Sequence, residues 1–348
     1  MALLASQYGP YTNHFMSTLL PVTVACGDYD RTLALRTGEV RAEGVALNYL
    51  TLPVEETFFR MVSYREFDVA EMSLSTYVMM LGDDSETSPF VAIPVFPSRV
   101  FRHSGIYVNA RSGIEAPDDL VGRVVGVPEY QITAAVWIRG LLAEHHGVPV
   151  DGVRYRTGGL HAPGRHEKVA VNPPPGVEIA AIPEDRTLAD MLVTGEIDAL
   201  YSARTPRPFA EGSPEVRHLF PRPHEAEAEY FRKTRIFPIM HVLALRRELY
   251  RAHPWLARSL MKAFGEAKVL AAADMDETAA LRYMLPWLAE EVRRTREVMG
   301  EDYWPYGIRD NEHTLSAFLR YSHEQGLAQR SWEPRDLFAK ECHGEVVV

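Results

Sequence analysis

Between residues 94 and 104 the chain reads Pro-Val-Phe-Pro-Ser-Arg-Val-Phe-Arg-His-Ser, which sets Arg99, Arg102 and His103 almost side by side. The window around this string, residues 87–114, contains no Asp or Glu and adds Arg111. With 47 acids in 348 residues, about four would fall in a window of that length. Cations without acids among apolar and aromatic neighbours, in a chain of net charge -10, read as a pocket for a small anion. The competing reading is an ordinary strand whose arginines pair with distant acids. If 99–104 is extended, Arg99 and Arg102 are an odd number apart and point to opposite faces. Only one then reaches a ligand unless the Pro97 region bends the strand.

The elements that must position these groups alternate along the chain. Apolar, β-prone runs at 22–26, 45–50 and 67–72 are separated by a helix start at 32–36 and an amphipathic helix at 54–64. Ser73, Ser75 and Thr76 can cap a helix at 77–81. Strands are predicted at 105–108, 124–127, 153–156, 197–201 and 236–245. A short turn or helix is expected at 116–120. Longer helices follow from about Thr133 to His146, where Gly147 stops the run, and at 188–194, 254–273, 277–288 and 313–325. Residues 161–178 are rich in Pro and Gly and read as an irregular excursion. Strand–helix alternation is the rhythm of a parallel α/β sheet. Two such blocks, with a mostly helical return, suit two lobes with a cleft between them: 21–104 plus 206–348, and 105–205. Ser73, Ser75, Tyr130, Gln131 and Thr133 fall at strand-to-helix turns, where backbone N–H groups and hydroxyls can face an anion. Helix capping is the alternative role for the serines.

The bulk numbers exclude some functions. Apolar content of 46% and charged content of 24% are those of an ordinary globular chain, and the length allows a large core. An acidic balance argues against nucleic acid as partner, because phosphate binding needs a broad basic face. No apolar run approaches the roughly 18 residues needed to cross a bilayer. Residues 1–20 lack the Lys/Arg start of a secretory signal, and a cytoplasmic protein with a short leader is expected. Cys26 and Cys342 provide neither a disulfide framework nor a cysteine-based zinc site. Homo-oligomer formation stays open.

Several strings resemble the 4,5-dihydroxyphthalate decarboxylase family: Cys26-Gly-Asp-Tyr-Asp-Arg31, Phe67-Asp-Val-Ala-Glu-Met-Ser-Leu-Ser75, the stretch 94–104 and Val127-Pro-Glu-Tyr-Gln131. Gly195-Glu-Ile-Asp-Ala-Leu200, Ile236-Phe-Pro-Ile-Met-His241 and Trp304-Pro-Tyr-Gly307 extend the likeness over nearly the whole chain. The Gly-Glu-Ile-Asp-Ala string is the least specific, since it recurs throughout the type 2 periplasmic-binding-protein superfamily. The resemblance implies that α/β fold, two lobes with a ligand cleft between them. It also implies non-oxidative decarboxylation without an organic cofactor, acting on a small aromatic dicarboxylate.

Such a reaction needs a carboxylate clamp, a base near a ring hydroxyl and an acid near the ring. Arginine's planar fork matches a carboxylate, which nominates Arg99 and Arg102, with Arg204 and Arg207 from the other lobe. His103 and His241 are the acid/base candidates because histidine titrates nearest neutral pH; each has the alternative of a buried, backbone-satisfied role. His161 is a third candidate, and the His161–His166 spacing reads as loop rather than metal site. Asp28 and Arg31 follow the first strand, and Asp28 could accept from a catechol hydroxyl. Ser202 ends a strand beside Arg204, and Trp304 could stack on the ring, with simple packing as its alternative. Outside catalysis, the same scaffold could serve as a binding protein for an aromatic or dicarboxylic acid. It could also carry a different cofactor-independent reaction.

Overall fold

The computed structural model describes residues 19–167 and 169–344. The leader expected over 1–20 lies outside the described residues except for Leu19 and Leu20. The first of two sheets begins with β1 (Leu20–Cys26), β2 (Val45–Thr51), β3 (Val69–Ser73) and β4 (Phe90–Ile93). The second holds β5 (Ile106–Asn109), β6 (Val124–Val127), β7 (Arg154–Thr157), β8 (Glu178–Ala181), β9 (Ala199–Tyr201) and β10 (Val216–His218). The chain then returns to the first sheet as β11 (His241–Arg246). The strand orders are β2-β1-β3-β11-β4 and β10-β5-β9-β6-β7-β8.

Both sheets are mixed, not purely parallel. β1 pairs in parallel with β2 and β3, but β11 lies antiparallel between β3 and β4. In the second sheet β5 is antiparallel to β9 and β10. The alternation read from the sequence described the parallel parts; a strand such as β11, whose His241 meets Glu71 across 170 residues, leaves no local trace.

The stretch 94–104 is not a continuous strand. Pro94 and Pro97 remove two backbone donors, and the chain crosses from β4 to β5 largely outside either sheet. It crosses back through residues 236–240, and the two segments brace each other. The Ser98 carbonyl accepts from Met240 N (2.9 Å) and His241 N (3.3 Å), and Val100 N donates to the Pro238 carbonyl (3.2 Å). The strand expected at 236–245 therefore starts only at His241.

Helices α1 (Asp30–Thr37), α2 (Val54–Tyr64), α3 (Leu74–Met79) and α4 (Thr133–His146) each begin beyond the carboxyl end of a strand. Ser73 Oγ caps α3 by accepting from Thr76 N (3.4 Å). α4 is buried along Thr133–Leu142 and packs on the helix Glu312–Glu324. Gly140 permits this approach: a Cβ there would stand 2.2 Å from the Tyr321 ring. One core lies under the first sheet against α1 and the helix Trp255–Met275; another runs from β3 and β4 through α3 and α4 to β6.

One expected helix is absent. Residues 277–287 are irregular, and the helix there is Leu288–Met299. The apolar spacing had no face to bury: Leu281, Met284, Leu285 and Trp287 stay exposed, and Pro286 cannot donate within a helix. The helix Pro223–Thr234 and strand β8 went unread.

Candidate active site

A cleft of about 620 Å³ opens where the carboxyl ends of β1 and β3 and the start of β11 face α4 and the loops of the second sheet. That volume suits a small aromatic ligand. One wall carries a pair that strand register builds. His241 pairs with Ser73 and Leu243 with Glu71, so His241 and Glu71 are diagonal neighbours on one face of adjacent antiparallel strands. Their side chains meet, His241 Nδ1 lying 2.6 Å from Glu71 Oε1.

Glu71 is fully buried, and a buried carboxylate needs partners to stay charged. It has them. The Tyr29 hydroxyl donates to Oε1 (2.7 Å), Gly27 N to Oε2 (2.8 Å) and the Cys26 thiol to Oε2 (3.4 Å). Burial pushes the Glu71 carboxyl up, but the hydrogen bond and charge of His241, with Gly27 and Tyr29, outweigh burial and hold it below the usual range. An ionised Glu71 only accepts, so Nδ1 carries the imidazole proton and Nε2 is left for the ligand side. Phe58 packs edge-on against the imidazole at 4.8 Å and fixes the ring plane.

The cleft also holds a cation with no counter-charge against it among the described residues. Arg102 is 7% exposed, lines the cleft, and donates from Nε to the Met240 sulfur (3.1 Å). Among the described residues it forms no ion pair; Glu227, whose charge it feels, already accepts from Ser104 N and Oγ (2.9 and 2.7 Å). Burial lowers its pKa to about 10, which still leaves it charged at neutral pH. A buried guanidinium with a weak sulfur partner is a ready carboxylate anchor.

The facing wall is polar. Ser73 Oγ and Thr133 Oγ1 are 2.9 Å apart, joining the end of β3 to the start of α4. Thr76 Oγ1 donates to Gln131 Oε1 (3.3 Å), and Gln131 Nε2 donates to Glu129 Oε2 (3.2 Å). Glu129 pairs with Arg165 (2.7 Å), Arg165 with Glu55 (3.4 Å), and Glu55 with Arg204 (3.3 Å).

Of the residues nominated from sequence, His241, Arg102, Ser73, Gln131, Thr133, His161, Ser202 and Arg204 line this cleft. The Ser202 hydroxyl donates to the Arg204 carbonyl (2.6 Å) and so shapes the turn. The others lie elsewhere. Arg99 is buried on the far side of the crossing segment, donating to the Pro305 carbonyl (3.0 Å), the Phe237 carbonyl (3.4 Å) and Asn311 Oδ1. His103 begins a tight helical turn that rotates it away from Arg102, and it packs against Phe220 and Tyr230 at 5.1 Å. Asp28 is exposed and pairs with Arg36 (3.1 Å). Arg31 donates to the Pro97 carbonyl (2.6 Å) and stacks between Tyr29 and Trp304; the Trp304 indole donates to the Phe96 carbonyl (2.9 Å). Ser75 is turned into the core, Tyr130 is buried under Arg139, and Arg207 is exposed on a short helix away from the cleft.

Sequence reasoning missed Glu71, Tyr29, Phe58 and the Glu55–Arg165–Glu129 chain. Glu71 did leave a signal. It is an acid inside the apolar run Val-Ala-Glu-Met, where a buried strand has no solvated face to offer it.

This two-sheet arrangement has solved counterparts. The periplasmic aliphatic sulphonate-binding protein of Escherichia coli matches with a TM-score of 0.52 over 93% of this chain and 99% of its own, at 11% identity. A periplasmic sulfonate-binding protein of Methylobacillus flagellatus matches at 0.53 over 92% of each chain, at 12% identity. The fold is therefore that of the type 2 periplasmic-binding proteins. No protein-family model matches the chain. Two curated relatives do: 4,5-dihydroxyphthalate decarboxylase of Comamonas testosteroni is 41% identical over 319 residues, 92% of this chain and 96% of that one. The enzyme of the same name from Pseudomonas putida is 41% identical over 213 residues, 61% and 82% of the two chains. The chain belongs to the 4,5-dihydroxyphthalate decarboxylase family, and the likeness its sequence strings carried spans nearly its full length.

Proposed function

We propose that this chain removes CO2 from 4,5-dihydroxyphthalate, or a closely related hydroxylated aromatic acid, leaving protocatechuate. The observation that supports it most is the buried Glu71–His241 pair opening on the same cleft as the unpaired Arg102. Passive binding of an acid needs an anchor such as Arg102. It has no use for a histidine whose tautomer is set by a fully buried carboxylate.

In this reading Arg102 holds the carboxylate that stays. His241 Nε2 takes the proton from the hydroxyl para to the carboxylate that leaves, and Glu71 stabilises the resulting imidazolium. The released electron pair moves through the ring to the carbon bearing the leaving carboxylate, which takes a proton from water; the hydroxide left behind combines with the CO2 released in the next step to give bicarbonate. The carbon–carboxylate bond then breaks, CO2 departs, and its electron pair restores the aromatic ring as the oxygen regains the proton from His241. Such a ring supplies its own electron sink. The two lobes assigned from the sequence serve here as the cleft's walls, with β10 counted in the second because it pairs with β5.

The test is incubation of the purified protein with 4,5-dihydroxyphthalate, following CO2 and protocatechuate. Turnover that His241→Ala reduces far more in kcat than in binding is the expected result. Binding without turnover would make the chain a binding protein for aromatic acids.

A further inference from the structure

The mouth of the cleft holds a carboxylate of the protein's own. Glu55, in the first turn of α2 on the first-sheet side, faces two arginines of the second-sheet side, Arg165 at 3.4 Å and Arg204 at 3.3 Å. Arg165 has a second acid, the buried Glu129 at 2.7 Å, whereas Glu55 is the acid paired with Arg204. All of these residues line the cleft that contains Arg102.

Arg204 shares that cleft with the anchor. A Cβ added to Gly105 would stand 2.7 Å from the Ser202 carbonyl oxygen and 3.9 Å from Arg102 Cδ, so the backbone leading into Arg204 and the stem of Arg102 flank the same glycine. A ligand whose first carboxylate rests on Arg102 therefore lies in the cleft whose mouth carries the guanidinium that Glu55 occupies.

We propose that Glu55 is a specificity-determining residue, an internal place-holder that a ligand's second carboxylate displaces from Arg204. This rests on the reading that the cleft takes an aromatic dicarboxylate. A dicarboxylate gains Arg204 by displacing Glu55. A monocarboxylate on Arg102 leaves the Glu55–Arg204 pair intact and gains nothing. The decarboxylated product has one carboxylate, so Glu55 returns to Arg204 as CO2 leaves and the product loses that contact. The pair is well exposed, with side chains 44% and 64% accessible, so displacing it costs little and substrate can win.

The experiment is calorimetric titration of the intact protein and of Glu55→Gln with phthalate and with benzoate, neither of which carries the hydroxyls the chemistry needs. Glu55→Gln is expected to tighten phthalate about two- to fivefold, the worth of an exposed ion pair, and to leave benzoate within error. Arg204→Ala is expected to weaken phthalate and not benzoate. Equal tightening of both acids would reduce Glu55 to a general charge effect and overturn the proposal, as would an unchanged or weaker phthalate affinity or no phthalate binding at all. Because no turnover is read, a chain that binds phthalate as described but releases no CO2 would refute the decarboxylase reading and leave Glu55's role standing.

Discussion

Replacing Glu71 by glutamine keeps the side chain's shape and removes its charge. In the folded protein three groups donate to that carboxylate at 2.6 to 2.8 Å: His241 Nδ1, the Tyr29 hydroxyl and Gly27 N. Glutamine offers one accepting oxygen and an NH2 that itself donates, so one donor loses its acceptor in a fully buried place. An unsatisfied buried group costs about 1 to 3 kcal/mol, and stability should fall by that order. The catalytic loss should be larger. Without the carboxylate's charge a protonated His241 loses its stabilising partner, so much of the acid/base contribution of about 10²- to 10⁴-fold in kcat should go. KM should change little, because Arg102 does not touch Glu71. The stability loss also has a pH signature. Glu71 is held below its ordinary range in the fold, so as pH falls the unfolded chain takes up this proton first. The stabilisation is complete above the ordinary carboxylate pKa of about 4.3 and fades as pH drops through the folded value. Denaturant melts of Glu71→Gln against the parent should therefore differ most at neutral pH and converge in acid, while turnover assays report kcat and KM. A variant that melts lower but keeps kcat within about threefold would confine Glu71 to a structural role and refute the proposed chemistry.

Arg102→Lys keeps a charge but loses the planar fork, and should raise KM about tenfold or more with a smaller change in kcat; an unchanged KM would remove Arg102 as the anchor. Arg99→Ala should lower thermal stability, because it deprives Asn311 Oδ1 of its buried donor and the Pro305 carbonyl of one of two, and leave KM of the folded protein unchanged. His103 is pushed down to about 4 by burial, then by the neighbouring His146 and His145. Its folded pKa is below the unfolded value, so stability should be full above about pH 6.5 and fall between there and pH 4. His103→Phe should flatten that part of the pH–stability curve.

How much of this was legible depends on the range of the interaction. Arg102 and His241, which line the cleft, each sit in an unusual string, and the acid-free window held Arg102 together with Arg99, His103 and Arg111. The same window misassigned its neighbours. Arg99 and His103 share its composition, but a bridge to Ile239 and a tight turn at His103–Gly105 aim them away from the cleft. The alternation rule would set Arg99 and Arg102 on opposite faces only in an extended stretch, and 94–104 is not a continuous strand. Asp28 failed for a local reason: it follows β1 as expected, yet Arg36 one helical face away takes its charge. Glu71 was quoted inside a motif and read only as strand. Its role depends on a register with a strand 170 residues later, which no periodicity encodes.

That register also divides the site's labour. Glu71 and His241 lie on adjacent strands of one sheet, so their spacing is fixed by backbone hydrogen bonds and changes little if the sheets move, and Tyr29 follows β1 on the same sheet. Gln131, Thr133, Ser202 and Arg204 come from the second sheet's side, and Arg102 sits on the crossing segment between them. Any relative movement of the walls alters how a ligand is presented to His241 without altering His241 itself. Bonds that span the cleft therefore decide presentation, and the Ser73–Thr133 contact at 2.9 Å is the one nearest the His241 strand pair. Thr133→Val keeps the size, removes that bond, and also strips the acceptor from Ser75 N. It should lower kcat severalfold while Glu71 and His241 stay paired. A nitrogen-15 NMR signal of His241 that reports an unchanged Nδ1 proton alongside reduced turnover would separate presentation from chemistry. A changed tautomer in Thr133→Val would show that the two walls are not independent.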